Sequence, residues 1–332
     1  AGWFCLGAVT TASNTITGTV SDFGDFTAGV FNPTAATISR SGADAVCTGN
    51  SSAIQVAVTG QTSPYTLVYS DNGGSTNYTV NNYVSGTDIP VTPLTTKTYS
   101  IVSVTSGNAC IGTGISGTTV TVTVGGTTTW TGTWSSGAPT STTAAIMSSN
   151  YNISTNIDAC SLTVNSNAIA VIPSGYNVTL SGALTVEQGS SFTLENSANL
   201  IQSGTTNPNS GKITAKRNSS SLYLLDYTMW SSPVEGQVLA AFSPLTMANR
   251  FYTYSSSGNV YTAIANTNSF TVGQGYLIRM PDNHPTSPTA WNGAFIGKPN
   301  SGTITIGLST AGTGFNAVGN PYPSPISIAT FL

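Results

Sequence analysis

Charge is scarce in this sequence. Of 332 residues, 8 are Lys or Arg, 11 are Asp or Glu and one is histidine, so charged residues make up 6% where average soluble domains carry roughly a quarter. With a formal net charge of −3, the chain has no electrostatic footprint for nucleic acid, which requires clustered Lys and Arg. The densest cationic group, Lys212, Lys216 and Arg217, reads as a solvated strand edge guarded against pairing. No run of 18 apolar residues occurs, so no membrane span is expected. Four widely separated cysteines (Cys5, Cys47, Cys110, Cys160) and a lone His284 offer none of the close ligand pairs of a zinc site. No cofactor is implied. Sustained 3.6-residue apolar periodicity is also missing, which leaves little room for helix.

What fills the space is Gly, Ser, Thr and Asn, together with period-2 alternation such as Thr119-Val120-Thr121-Val122-Thr123-Val124. β-Branched residues in alternation, separated by turn clusters such as Asp71-Asn72-Gly73-Gly74, predict an all-β protein. A hairpin-like stretch within 1–33 reads as the end of a preceding β module. Residues 34–125 give strand candidates at Thr37–Arg40, Ala53–Thr59, Tyr65–Ser70, Asn77–Val80, Asp88–Val91, Thr98–Thr105 and Thr118–Val124. About seven short strands in roughly ninety residues predict an immunoglobulin-like sandwich.

Between 126 and 206 the rhythm changes. Apolar pairs recur at Leu162/Val164, Val178/Leu180 and Phe192/Leu194, interleaved with Ile169/Val171, Leu184/Val186 and Leu200/Ile201. Each series repeats at about 14–16 residues, close to one coil of a short β-solenoid; a meander of hairpins is the competing reading. From 207 to 332 aromatic residues concentrate, and strands at Lys212–Lys216, Arg250–Tyr254, Gly275–Met280, Gly302–Ile306 and Gly314–Val318 predict a larger β-sandwich with an aromatic core. Both ends of the sequence read as cut from a longer chain, the last module being truncated at its C-terminus.

Cys47 and Cys110 flank the first sandwich, both in turn sequences, and are expected to form a disulfide that staples one end of it, worth roughly 3–4 kcal/mol in the entropic picture. The partners of Cys5 and Cys160 are left open. Catalytic groups are not assembled. His284 lies in a proline-bounded surface loop with Asp282, and a general base needs both partner and pocket. The nearest carboxylate pairs for glycoside hydrolysis, Glu187/Glu195 and Asp226/Glu235, read as solvated groups. Asp22, Asp25 and Asp71 are too few and too scattered to be expected to bind calcium. Trp130 and Trp134, at even spacing on one side of a strand, are either a glycan platform or a cover for the open end of the solenoid.

Four stretches then occur in order: Asp226-Tyr227-Thr228-Met229-Trp230-Ser231-Ser232-Pro233-Val234; Phe242-Ser243-Pro244 with Arg250-Phe251-Tyr252; Gly273-Gln274-Gly275-Tyr276-Leu277-Ile278-Arg279-Met280-Pro281; and Val318-Gly319-Asn320-Pro321-Tyr322-Pro323-Ser324-Pro325-Ile326. Over 211–332 the series resembles large secreted Bacteroidota surface proteins carried by the type IX secretion system, and 34–125 resembles their immunoglobulin- or PKD-like repeats. The sorting domain that usually ends such proteins is not in this sequence. The resemblance implies an extracellular or outer-membrane surface location, the type IX machinery as a partner, and a structural or adhesive role. Self-assembly into fibres is one form of that role. The alternative is a glycan-binding accessory region of a larger polysaccharide-degrading enzyme; an enzyme in its own right is not expected.

Overall fold

In a computed structural model of the chain, residues 10–12, 15–17, 33–48, 50–60, 63–72, 74–106, 115 and 118–327 are described. The fold is all-β, as the alternation predicts, with a single four-residue helix among the described elements. Two compact units are present, Ala1–Gly125 and Gly126–Leu332.

The first unit opens with a hairpin of β1 (Thr10–Ala12) and β2 (Thr15–Thr17). There follow β3 (Ala35–Arg40), β4 (Ala45–Val46), β5 (Ser52–Thr59), β6 (Tyr65–Asp71), β7 (Thr76–Tyr83), β8 (Asp88–Val91), β9 (Lys97–Ser106) and β10 (Thr119–Val124). They make a three-stranded sheet, β3-β5-β8, and a five-stranded one, β4-β10-β9-β6-β7. Alternation decides what is inside: Ile54, Val56 and Val58 of β5 and Leu67 and Tyr69 of β6 share one buried cluster, because successive strand residues face opposite sides. The Tyr83 hydroxyl is buried there, accepting from the Val56 amide at 2.7 Å and lying 2.9 Å from the Thr87 carbonyl. Asp71 is buried too and pairs with Lys97 at 2.7 Å. That hydrogen bond holds its carboxyl below the usual carboxylate range.

The second unit begins with parallel strands: β11 (Thr127–Trp130), β12 (Ala144–Met147), β13 (Ile157–Ala159), β14 (Ser161–Val164), β15 (Ile169–Ile172), β16 (Asn177–Leu180), β17 (Leu184–Val186), β18 (Ser191–Leu194) and β19 (Asn199–Gln202). They stack in three sheets: β11-β12-β14-β17, β13-β16-β19, and β15-β18 continuing into later strands. Leu162 lies over Leu184 and Val164 over Val186, while Val178 lies over Leu200. Over β14–β19 the repeat is therefore 22 residues, one coil of three flats, while the earlier steps from Thr127 to Ala144 and from Ala144 to Ser161 are 17 residues each. The 14–16-residue spacing seen in the sequence corresponds to two of those three flats, so each series steps between sheets and does not stack on itself. Corners repeat at the same interval. Asn167, Gly189 and Gly211 all have left-handed φ, and a Cβ on Gly211 would lie 2.0 Å from the Val186 carbonyl oxygen.

Strands β20 (Ile213–Leu222), β21 (Tyr227–Trp230), β22 (Val234–Glu235), helix α1 (Leu239–Phe242), β23 (Phe251–Ser255), β24 (Val260–Ala263), β25 (Tyr276–Arg279) and β26 (Thr289–Pro299) complete the unit. The boundary expected at 206/207 is corrected here. The sheet β15-β18-β20-β26-β22 crosses it, and the aliphatic coil core and the aromatic residues form one buried cluster. Phe242 stacks on Phe295 at 4.3 Å and meets Phe270, Trp230 and Trp291 edge-on, the offset and T-shaped geometry that aromatic quadrupoles favour.

Two expected strands, Gly302–Ile306 and Gly314–Val318, are not strands. The alternation is there, but the segments find only isolated partners, such as the Thr303 amide on Thr205 and a single bridge from Val318 to Gln274. Conversely, β26, the longest described strand, is not among the strands expected from the sequence, and it carries Gly293 and Gly297. These glycines serve close approach: a Cβ on Gly297 would lie 2.2 Å from the Glu235 carbonyl oxygen.

Candidate functional site

The four-stranded sheet β21-β25-β23-β24 has two unlike faces. In its register, Met229 pairs with Leu277, Leu277 with Tyr252 and Tyr252 with Ala263, while Tyr227 pairs with Arg279 and Tyr254 with Tyr261. These residues share the outer side. Trp230, Ile278, Phe251 and Tyr276 alternate with them and enter the core. The outer side thus carries Tyr227, Tyr252, Tyr254 and Tyr261. Tyr261 is 42% and Met229 41% exposed.

The tyrosines are organised in pairs. Tyr227 and Tyr252 meet edge-to-face at 5.9 Å, and Tyr254 and Tyr261 do so at 5.3 Å. Tyr254 donates to the Asn259 side chain, and the Tyr261 hydroxyl lies 3.8 Å from Met229 Sδ. At one edge stands Arg250, whose Nη1 approaches the Tyr252 hydroxyl at 3.5 Å. The guanidinium lowers the Tyr252 phenol from its ordinary value, and that same contact raises Arg250. Arg250 forms no ion pair within the described residues, and its Nε is buried without a hydrogen-bond partner. The neighbouring cation differs: Arg279 is buried and bound to Asp282.

The residues singled out in the sequence lie elsewhere. Trp130 and Trp134 are half-buried and pack on the coil core beside Tyr151, with the Trp130 indole donating to the Asn150 carbonyl at 3.0 Å. They lie over the first turn of the coil. His284 is not on the surface as expected. It is 7% exposed, with Nε2 2.9 Å from the Leu222 carbonyl, and so ties its loop to the end of β20. Asp282 is taken up by Arg279. Each carboxylate considered for hydrolysis has a partner of its own: Glu187 accepts from the Ser166 amide, Glu195 pairs with Lys216 at 2.7 Å, Asp226 accepts from the Tyr223 amide, and Glu235 pairs with Lys298 at 3.2 Å. No group of three or more potential metal ligands occurs among the described residues.

Asp22, Asp25, Cys5 and Cys110 lie outside the described residues, and with Cys110 the Cys47–Cys110 pairing. Cys47 and Cys160 are each disulfide-bonded. No described helix is long and apolar enough to cross a membrane.

Two cavities lie in the second unit. One, of about 410 Å³, is lined by the hydroxyl and amide residues Thr253, Asn268, Ser269, Thr271, Gln274 and Tyr276 together with Ile264, with no carboxylate or imidazole. The other, of about 210 Å³, lies between Leu200, Gln202 and the Asn-Pro-Tyr-Pro segment. That segment has a structural task. The Pro323 carbonyl accepts from the Leu200 amide at 3.0 Å and from Arg217, and the buried Asn300 side chain donates to the Pro321 carbonyl at 2.8 Å. Pro323 therefore covers the open edge of β19, while Ser210 covers β17 and β20 covers β18. A fourth, composite coil closes the stack.

The reading of 207–332 as a sandwich with an aromatic core does not separate the tyrosine face from that core. The alternation of Arg250-Phe251-Tyr252-Thr253-Tyr254 carries the signal: if Phe251 is inside, Tyr252 and Tyr254 are outside.

Residues 123–332 match a protein family described as a domain of unknown function, DUF8693. The match spans more than half of the chain, which therefore belongs to that family. Its start, at Thr123, falls at the division between the two units, so coil and aromatic half together are the family's domain. No curated protein and no solved structure matches the chain.

Proposed function

We propose that the chain is a structural or adhesive segment of a protein displayed on the cell surface or secreted, delivered by type IX secretion machinery. One observation carries this reading most: the scaffold is wetted by hydroxyl and amide groups with almost no charge, and both described cysteines are disulfide-bonded. Disulfides persist in oxidising, extracytoplasmic compartments, and a surface with little net charge suits an anchored segment better than a crowded cytosol. The motif resemblance over 211–332 adds the export route. Self-assembly by end-to-end stacking of coils is disfavoured by the covers at both ends. Lateral association through β7, an uncharged and exposed edge strand, is the form of self-association the fold leaves open.

Protease shaving of intact producing cells tests location. The reading expects the segment to be cleaved from outside, with no free thiol reacting in the intact protein and accumulation inside cells that lack type IX export. A cytoplasmic pool with titratable thiols overturns it. A second reading, a glycan-binding accessory region, is favoured by the outward tyrosines.

A further inference from the structure

We infer that the outer face of the β21-β25-β23-β24 sheet binds an acidic polysaccharide, with Arg250 pairing with the carboxylate or sulfate of a sugar whose ring packs on the tyrosines. This rests on the extracellular adhesive reading and names the chemistry of what is gripped.

Three observations converge. The first is the aromatic parity: four tyrosines from three strands lie on one solvent-facing side, while Trp230, Phe251 and Tyr276 are turned inward. Tyrosine suits a wet, half-apolar contact because it offers a ring to C–H groups and a hydroxyl to neighbouring oxygens. The second is charge. Of the described carboxylates all but Asp88 and Asp158 are matched to a cation or a backbone amide. Arg250 stands beside Tyr252 with no acid, and unlike Arg217, whose guanidinium donates to two backbone carbonyls, it does so on the tyrosine face. The three carboxylates nearest in the chain, Glu235, Asp226 and Asp282, are held by Lys298, by the Tyr223 amide and by Arg279. A guanidinium without a carboxylate is suited to bidentate capture of a planar anion. The third is what the face does not offer. The central strands β25 and β23 are paired on both sides, so over the face itself an extended peptide finds no main-chain groups to add to, and the free edge of β24 lies beside the face and not on it. A sugar needs none.

Binding is measured with the whole chain by affinity electrophoresis and calorimetry, using dextran sulfate, polygalacturonate and unmodified dextran at physiological salt. The expected result is retention by the two anionic polymers and none by dextran. Arg250→Gln should weaken retention roughly tenfold, as expected for loss of one charge-assisted pair, and Arg250→Lys should weaken it less. Tyr254→Ala with Tyr261→Ala should also weaken it several-fold, with unfolding midpoints close to that of the parent. Equal binding of dextran, undiminished anionic binding in Arg250→Gln, or no binding to any of the three overturns the inference. Cell-surface exposure in the shaving experiment stands or falls separately, so failure here and failure of the adhesive reading are distinguishable.

Discussion

The coil and the aromatic half of the second unit share one core but are built by opposite means. The coil gains its order from repetition: successive turns set apolar residue on apolar residue, as Leu162 on Leu184 and Val164 on Val186, and its corners carry a polar ladder. The Asn199 side chain donates to Asn177 Oδ1 at 2.9 Å, and Asn156 Oδ1 accepts from the Asn177 amide at 2.9 Å. The aromatic half has no repeat. Its order comes from a few large rings, with glycines placed where a ring or strand comes close. A repeat spreads stability over many equal contacts, whereas a ring cluster concentrates it. That difference also settles where a binding face can sit. Coil flats turn short residues such as Thr163, Thr179 and Thr193 to the outside, while the aromatic half has tyrosines to spare for its outer side.

The largest effect should come from the rings. Phe242→Ala removes the centre of the cluster and should cost about 3–5 kcal/mol. Leu162→Ala in the coil should cost about 2–5 kcal/mol, depending on how far its neighbours relax. Because both residues belong to one buried cluster, each should lower the same unfolding transition in calorimetry. Two transitions that shift independently would break the claim that coil and aromatic half are one cooperative unit.

Glycines give the next contrast. Gly297→Val in β26 forces its side chain into the Glu235 carbonyl and should cost about 1–3 kcal/mol through backbone displacement. At the coil corner Gly175, an added Cβ meets nothing within 4 Å. Gly175→Ala should cost only the left-handed backbone penalty, about 1–2 kcal/mol. Urea midpoints of the two variants test whether close approach or backbone conformation is the stronger demand. A smaller change is Asn177→Ala, which removes one rung of the ladder. It should cost about 0.5–1.5 kcal/mol, and Asn177→Ser should recover part of it.

Legibility in the sequence follows the same division. Strands of the first unit could be read because β-branched alternation, as in Ser52–Thr59, matches their burial residue by residue. The coil was legible as a recurrence but not in its period, since three flats of similar composition let two-thirds of a turn look like a whole one. The aromatic half was least legible. Gly293 and Gly297 hid β26, and the alternation at Gly302–Ile306 announced a strand for which no partner strand exists. Partners are a tertiary property, and local pattern does not contain them. The site suffered for a related reason: Tyr252 and Tyr254 look like core until the parity of their strand is fixed by Phe251.

The smallest expected effect bears most on function. Tyr261 touches Tyr254 and Met229 but lies on an exposed edge strand, outside the buried cluster. Tyr261→Ala should therefore change stability by no more than about 0.5 kcal/mol, the usual range for surface positions. Phe251→Ala, on the adjacent strand and facing inward, should cost about 3–5 kcal/mol. Urea midpoints of the two variants measure the contrast directly. Should Tyr261→Ala instead cost 2 kcal/mol or more, the outer tyrosines would be holding the sheet together, and their arrangement would no longer need a ligand to explain it. A near-neutral result leaves four tyrosines and an unpaired arginine on a face whose folding does not depend on them, which is the condition a binding surface must meet.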